Sequence, residues 1–148
     1  MSERAFERPT AVERVLNRAI GVLVGLGVGP AHMWVLEVRG RKSGRTRATP
    51  VDLLSHAGRL YLVAPRGYTE WVRNAEASGE ITLRRGGRRS AYRLRALGAA
   101  EKPAVLGAYL DRFRREVQRY FPVAAGSPPE TFAPLLDRYP AFELLPRA

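Results

Sequence analysis

Five short β-type runs separated by short turns dominate the middle of the chain. β-branched, aromatic and other apolar residues are frequent in them, as is typical of strands. The runs are Met33–Arg39, Ala48–Leu54, Leu60–Ala64, Ile81–Arg85 and Ser90–Leu97. Connections as short as Ala57-Gly58 and Gly86-Gly87 leave no room for the crossover that parallel strands need, so the sequence predicts a mainly antiparallel meander. Closing this sheet gives a small β-barrel over about residues 32–97.

A helix is predicted before the β region. Thr10 and Glu13 have the spacing of a capping box, and apolar residues recur at helical spacing from Val12 to Leu23. The pattern indicates an amphipathic helix over about residues 11–24.

Further helices are predicted within and after the β region. A short one follows Thr69, its expected N-cap, and ends at Gly79. A longer one begins near Pro103 and opens a helical tail over about residues 103–139, which ends in an extended segment at 142–145. The predicted fold class is α+β, mainly β: a small antiparallel split barrel with flanking helices, in one domain over residues 1–148.

Composition excludes several classes of site. The chain has 148 residues, 45% of them hydrophobic, which suits one domain with one core. It has no cysteine, so disulfides, thiolate metal sites, iron–sulfur clusters and a cysteine nucleophile are ruled out. The only histidines are His32 and His56; a structural role is expected for each, and no metal site is predicted.

The longest apolar run, Ala19 to Val28, has ten residues, against the ~20 that span a bilayer. The segment before it is charge-balanced, unlike the short basic start of a signal peptide. A cytoplasmic location is therefore expected.

Positive charge is concentrated in the middle of the chain. The formal net charge is +11, and residues 39–95 hold fourteen cations against four carboxylates, a net +10. Such a field attracts anionic ligands over a Debye length of about 8–10 Å. The charge predicts an anionic partner.

The densest cluster is a segment that we call the basic turn, residues 40–47. It contains four cations, two hydroxyls and two glycines, in the order Gly40-Arg41-Lys42-Ser43-Gly44-Arg45-Thr46-Arg47. Guanidinium groups offer paired donors to phosphate or carboxylate, and glycines let backbone N–H groups approach an anion. The turn lacks a glycine directly before Lys42, so it is not a nucleotide-triphosphate loop, and no dinucleotide-binding glycine motif follows a strand. A solvated hairpin turn is the alternative interpretation.

Four motifs follow one another along the chain: Gly-Arg-Lys-Ser-Gly-x-x-Arg at 40–47, Thr-Pro-Val at 49–51, Leu-Tyr-Leu-Val-Ala at 60–64 and Trp-x-x-Asn at 71–74. In this order and spacing they resemble the deazaflavin-dependent nitroreductase family of actinobacteria, which has a split β-barrel fold. The resemblance covers about residues 30–97 and implies coenzyme F420, an electron carrier with a phosphate and a polyglutamate tail.

The resemblance also implies a set of coenzyme-binding residues. The phosphate and tail carboxylates fall against Arg41, Lys42, Ser43, Gly44 and Arg47. Val51 falls beside the ring, the loop that holds the ring is Ala64, Pro65, Arg66 and Gly67, and the Trp-x-x-Asn helix supplies Trp71 and Asn74. This chain differs from better-known members in a shorter loop before Trp71, in Pro65 and in Asp52, where some members have a tyrosine.

The implied activity is hydride transfer from the reduced coenzyme to a small electrophile: a quinone, a nitroaromatic compound or an enone. The coenzyme performs the difficult step, so no catalytic triad is expected. The product oxyanion needs a proton or a hydrogen-bond donor, and the candidates are Tyr68, Asp52 and Tyr120.

Several different interpretations stay open. The protein could be a non-catalytic binder of a cofactor, pigment or lipid, since fold alone does not fix activity. It could bind nucleic acid or another polyanion through the arginines around Gly86-Gly87, although few aromatic residues there could stack on bases. Flavin mononucleotide is the alternative coenzyme. Weak membrane contact through the first helix, and a monomer or a homodimer, are also left open.

Overall fold

The structure, a computed structural model, describes residues 11–27 and 29–147. In these residues seven strands form one antiparallel sheet in the order β2-β1-β5-β6-β7-β4-β3. The strands are β1 (Met33–Arg39), β2 (Thr46–Asp52), β3 (Leu54–His56), β4 (Arg59–Val63), β5 (Glu80–Arg85), β6 (Arg88–Ala96) and β7 (Ala141–Pro146). The predicted α+β, mainly β class is confirmed.

The sheet curls so that its two edges meet. Strands β2 and β3 lie at opposite ends of the strand order, yet only Leu53 separates them along the chain. The backbone N–H of Leu53 donates a 2.8 Å hydrogen bond to the carbonyl of His32. One nearly continuous segment therefore forms both edges, which is the closure expected of a split β-barrel.

The predicted meander is wrong in its long-range pairings. The hairpins β1–β2, β3–β4 and β5–β6 connect neighbours as expected. However, β1 pairs with β5, and the C-terminal strand β7 lies between β6 and β4. Short turns determine only the pairing of strands that are adjacent in the sequence. The pairings of β1 with β5 and of β7 with β6 and β4 join strands that are distant in the sequence, and they provide hydrogen-bond partners for strand edges that would otherwise be exposed.

The helices are α1 (Ala11–Gly25), α2 (Glu70–Ser78) and α3 (Lys102–Val117), followed by 3₁₀ segments at Gln118–Tyr120 and Pro129–Arg138. Gly79 ends α2 at a φ of 75°, and its N–H donates to the carbonyl of Ala75, as the C-cap prediction requires. Thr69 occupies the N-cap position, but its side chain makes no capping hydrogen bond. The last part of the predicted helical tail is the 3₁₀ segment Pro129–Arg138, and the predicted extended segment at 142–145 is part of β7.

The main core lies between α3 and the sheet. The helix buries the apolar face that its sequence periodicity predicts. Its buried members are Val105, Leu106, Tyr109, Leu110, Phe113 and Val117. Phe121 stacks on Tyr139 with ring centroids 4.3 Å apart, so the 3₁₀ segments of the tail join the same core.

Helix α1 leaves apolar side chains exposed. Val15 is 71% exposed and Leu26, just after the helix, is 72% exposed, whereas Val24 is 1% exposed. At 100° per residue, Val15, Leu16, Val22, Leu23 and Leu26 form one stripe, which we call the α1 stripe. The predicted helix is confirmed, but the stripe faces away from the barrel. No helix in residues 11–27 and 29–147 is long and apolar enough to cross a membrane.

A network of ion pairs links β6 to the tail. Arg95 donates to Glu143 Oε1 at 2.7 and 2.9 Å and to the carboxylate of Glu101 at 2.8 and 2.9 Å. Hydrogen bonds from Arg95 and from the backbone of Gly98 lower the pKa of Glu101 to about 2. Because the folded-state pKa lies below the ordinary value of 4.5, the charged carboxylate stabilises the native protein above that value, and the stabilisation is lost as the pH falls toward the folded-state value.

This network gives a prediction with a defined pH dependence. At about pH 7, we expect Glu101→Gln to lower the midpoint of urea unfolding, because it removes the charged acceptor of Arg95. The difference from the unsubstituted protein should shrink as the pH falls from about 4.5 to about 2, where that protein also loses the charge.

The matched control is Glu130→Gln, at an exposed position on the tail where no ion pair is seen among the described residues. It should change the midpoint little at either pH. A Glu101→Gln effect that is constant across the pH range would show that the carboxylate charge is not responsible.

Candidate functional site

The basic turn joins β1 to β2 and is closed by its own hydrogen bonds. The N–H of Gly40 donates to the carbonyl of Arg45 at 2.8 Å, and the N–H of Gly44 donates to the carbonyl of Gly40 at 2.9 Å. Gly44 has a φ of 73°, a conformation that favours glycine. A Cβ on Gly40 would lie 2.9 Å from Ser43 Oγ. The conformation of the turn therefore favours glycine at position 44, and a side chain at position 40 would force Ser43 to move.

Asn74 holds this turn against helix α2. Its side-chain oxygen accepts a 3.0 Å hydrogen bond from the backbone N–H of Arg41 and a 2.8 Å bond from Arg41 Nη1. The same nitrogen donates to Glu70 Oε2 at 2.9 Å. Asn74 is 5% exposed, so this contact is shielded from water. The Trp-x-x-Asn motif thus provides the acceptor that fixes the basic turn.

The charges of the turn fall into two groups. Arg41 is engaged with Glu70 and Asn74, and it lowers the pKa of Glu70, with smaller contributions from Lys42 and Arg73. Lys42, Arg45 and Arg47 are exposed, and within the described part of the chain their side chains form no hydrogen bond or ion pair. Their donors are therefore available to an anion.

A groove of about 1110 Å³ runs beside the turn, slightly larger than the range of about 300–1,000 Å³ that is typical of ligand sites. It is bounded by the turn, the C-terminal half of α2 and strands β1, β5 and β6. Among its lining residues are Arg39, Arg41, Lys42, Ser43, Gly44 and Asn74. A cavity of about 70 Å³ adjoins it and is lined by residues that include Lys42, Arg47 and Glu70.

Acidic residues of the groove already have cationic partners. Glu37 lies 3.2 Å from Arg89 and 3.6 Å from Arg84, and Glu80 is paired with Arg147. The carboxylates in the groove are therefore neutralised by arginines and do not neutralise Lys42. The surface beside the turn keeps a net positive charge.

The predicted ring-contact residues lie outside this groove. Val51 is half-buried opposite Trp34 in the β1–β2 register. Trp71 is half-buried, with its ring centroid 6.2 Å from that of Phe142. The loop after β4 is more enclosed: Ala64 is 1% exposed.

The rest of that loop is also packed against the protein. Gly67 is buried with a φ of 85°, Pro65 is half-buried, and the Arg66 guanidinium lies 6.0 Å from the centroid of the Tyr120 ring. The structure thus brings the anion-binding predictions together and keeps the ring-contact predictions as a separate, more enclosed group.

The three predicted proton donors lie in two places. Tyr68 packs in the small cluster of Ala64, Val72 and Phe142. Asp52 and Tyr120 lie on the α3 side of the barrel. Burial raises the pKa of Tyr109 there, and the charges of Asp52 and Glu116 add to this effect. Tyr120 Oη accepts a 2.6 Å hydrogen bond from Arg119.

Asp52 belongs to a cluster that the sequence does not reveal. His32 Nε2 lies 3.4 Å from Asp52 Oδ1 and 3.4 Å from Glu116 Oε1. Burial, followed by the adjacent Glu116, raises the pKa of Asp52 to about 8. The hairpin register, which pairs Met33 with Asp52, brings His32 near Asp52 and is the one signal that could find this pair. Only the docking of α3 adds Glu116.

The comparisons with known proteins agree with the motifs of the sequence. A model of the F420H(2)-dependent quinone reductase family matches residues 11–123. The chain belongs to this family. Its members are oxidoreductases that depend on reduced F420, so the family expected from the motifs is confirmed at this level. No curated protein matches the chain.

Solved structures share the split-barrel fold. A structure described as an F420-H2 dependent reductase (FDR-A) is 16% identical with a TM-score of 0.53, and the match covers 77% of this chain and 94% of that one. A structure described as a domain-swapped dimer is 19% identical with a TM-score of 0.55, and covers 90% and 92%. The haem storage protein HutZ of Vibrio cholerae is 11% identical with a TM-score of 0.53, and covers 79% and 82%. At these identities the likeness shows the fold alone.

The position of Asn74 gives a prediction. We expect Asn74→Ala to destabilise the protein by about 1–3 kcal/mol, because two donors of Arg41 lose a shielded acceptor. Hydrogen exchange of the Arg41 amide should also become faster, since its N–H loses its partner.

Ser78→Ala, at an exposed position of the same helix, is the control and should leave both quantities unchanged. Protection of the Arg41 amide that survives in Asn74→Ala would mean that another contact holds the turn.

Proposed function

We propose that this protein transfers a hydride from the reduced deazaflavin coenzyme F420 to a small electrophile. A quinone is the first candidate acceptor, because the family is named for quinone reduction; nitroaromatic compounds and enones are the next candidates. The observation that carries the proposal is the basic turn, which Asn74 fixes beside the groove with Lys42 and Arg47 available.

The proposed binding mode separates the charged and flat parts of the coenzyme. Phosphate and tail carboxylates bind Lys42 and Arg47, and the Ser43 hydroxyl and the Gly44 backbone lie beside them in the turn. Arg41 acts indirectly, because its hydrogen bonds to Asn74 hold the turn in position. The ring lies toward Val51, Trp71 and the loop formed by Ala64, Pro65, Arg66 and Gly67.

When bound, the reduced coenzyme supplies the hydride, and the residues of this chain supply the rest. They hold the electrophile near the ring, limit access of water and provide a hydrogen-bond donor or a proton to the oxygen that gains charge. Tyr68 and Tyr120 are the proposed donors in the two places where the structure locates them. Asp52 is the third candidate, as a substrate contact.

Nucleic-acid binding is less well supported, because most arginines of β5 and β6 are already engaged. Arg84 and Arg89 pair with Glu37, and Arg95 pairs with Glu101 and Glu143. Arg85 donates to the carbonyls of Met33 and Gly29, each at 2.7 Å. A polyanion that bound this surface would have to displace these contacts.

A carrier role and a different coenzyme would each have distinct consequences. A non-catalytic carrier would bind the coenzyme and give no turnover. Flavin mononucleotide has a phosphate but no polyglutamate tail, so it would use fewer of the turn's cations and bind more weakly. Weak membrane contact and a homodimer stay proposals as well, and the α1 stripe is the surface that either contact would use.

The first test is binding of the coenzyme. We expect Lys42→Ala and Arg47→Ala each to weaken F420 binding by about tenfold, because each removes a charge-assisted contact to the anionic part. Isothermal titration calorimetry at low and high salt should show that each loss is larger at low salt.

Arg88→Ala is the matched control: Arg88 is exposed at the tip of the β5–β6 hairpin, away from the turn. It should bind the coenzyme as the unsubstituted protein does. Equal affinity of all three variants would argue against the basic turn as the binding site.

The second test is turnover. The loss of reduced F420 is followed by absorbance with a quinone, a nitroaromatic compound or an enone as acceptor. We expect reoxidation that depends on the enzyme and is fastest with the quinone. Tight binding without reoxidation by any acceptor would support a carrier role instead.

A further inference from the structure

We propose that His32, Asp52 and Glu116 form a binding site for a first-row divalent metal ion of the Zn²⁺ class. These side chains come from three elements: His32 immediately precedes β1, Asp52 ends β2, and Glu116 lies in the last turn of α3. Each offers one ligand atom, and the three atoms lie within 4.8 Å of one another. The proposal does not depend on the coenzyme.

Two of the three spacings between the ligand atoms fit a tetrahedral ion. Bonds of about 2.0–2.2 Å to nitrogen and oxygen place neighbouring ligand atoms of a tetrahedral site about 3.3–3.6 Å apart. His32 Nε2 lies 3.4 Å from Asp52 Oδ1 and 3.4 Å from Glu116 Oε1. Both distances therefore match edges of such a site. The third edge, between the Asp52 and Glu116 oxygens, is at most 4.8 Å, and the Glu116 side chain, which is 41% exposed, is free to shorten it.

The same atoms lack hydrogen-bond partners. His32 Nε2 and Asp52 Oδ1 are both shielded from solvent, and neither makes a hydrogen bond within the described part of the chain. The 3.4 Å contacts are thus not hydrogen bonds, although an imidazole can donate and a carboxylate can accept. Leaving buried polar atoms unpaired costs stability, and a shared cation would satisfy both at once. This observation is independent of the spacing.

The surrounding structure fixes two of the ligands. The His32 carbonyl accepts the N–H of Leu53, which is next to Asp52 in the chain. The His32 ring also packs on Phe113, with centroids 4.8 Å apart. The backbone bond and the ring contact hold the imidazole beside Asp52, as supporting contacts do in metal sites.

The donor set defines the chemical class of ion. One imidazole nitrogen and two carboxylate oxygens suit Zn²⁺, Co²⁺, Fe²⁺ or Mn²⁺, whereas soft thiolate donors are absent from the chain. The Glu116 side chain is 41% exposed, so the cluster reaches the protein surface. Three protein ligands leave a fourth position for water or for an oxygen of a small molecule.

Co²⁺ is a suitable probe because tetrahedral Co²⁺ absorbs visible light much more strongly than the aqueous ion. The purified protein is treated with a chelator and titrated with Co²⁺. We expect visible absorption that saturates with Co²⁺ and disappears when Zn²⁺ displaces the Co²⁺. Zn²⁺ should also raise the midpoint temperature of thermal unfolding. Asp52→Asn and His32→Ala should weaken Co²⁺ binding by at least about tenfold.

Two further variants keep the test decisive. Glu116 is exposed, so Glu116→Gln should retain the fold and still lose affinity, which separates ligand loss from misfolding. His56→Ala removes the second histidine and should bind Co²⁺ normally. The proposal would be overturned if the unsubstituted protein showed no such absorption. It would also be overturned if Glu116→Gln and Asp52→Asn bound Co²⁺ with the same absorption as the unsubstituted protein.

Discussion

The candidate site depends on one shielded amide oxygen. Asn74 on α2 accepts hydrogen bonds from both the backbone and the guanidinium of Arg41, which joins the basic turn to the helix across 33 residues of chain. Without that contact, the turn would keep its own backbone hydrogen bonds but lose its attachment to α2 and gain conformational freedom. With it, the backbone of the turn that carries Lys42 and leads to Arg47 is positioned beside the groove before any ligand arrives, so less backbone ordering entropy is lost on binding.

The ion pairs of the protein determine which of its many cations are available to a ligand. The middle of the chain is strongly basic, yet many of its arginines neutralise buried or half-buried carboxylates, as Arg95 does for Glu143 and Arg89 does for Glu37. Among the described residues, Arg88 and Arg93 on β6 are also exposed without an ion pair, but the available cations are densest at the basic turn, which carries Lys42, Arg45 and Arg47. This distribution favours a compact anionic ligand over an extended polyanion, and it agrees with membership of a family that depends on reduced F420.

The sequence predicts those features that depend on neighbouring residues. Strand β1 lies where its residue types and flanking turns predict it, the apolar face of α3 is buried as its periodicity indicates, and Gly79 ends α2. Pairing between distant strands is missed, because no local pattern places β7 between β6 and β4. For the same reason the sequence suggests the cations of the turn but not the acceptor role of Asn74, and it does not bring Glu116 to Asp52. Ordered motifs identify the family, whereas side-chain geometry requires the folded chain.

The most direct test of the central claim is to locate the coenzyme's anionic part in a crystal structure of the complex with F420. We predict that the phosphate or tail carboxylates lie within hydrogen-bond distance of Lys42 and Arg47, while the Asn74–Arg41 contacts remain as they are here. A complex in which the anionic part lies elsewhere on the protein and both side chains stay in solvent would contradict that claim.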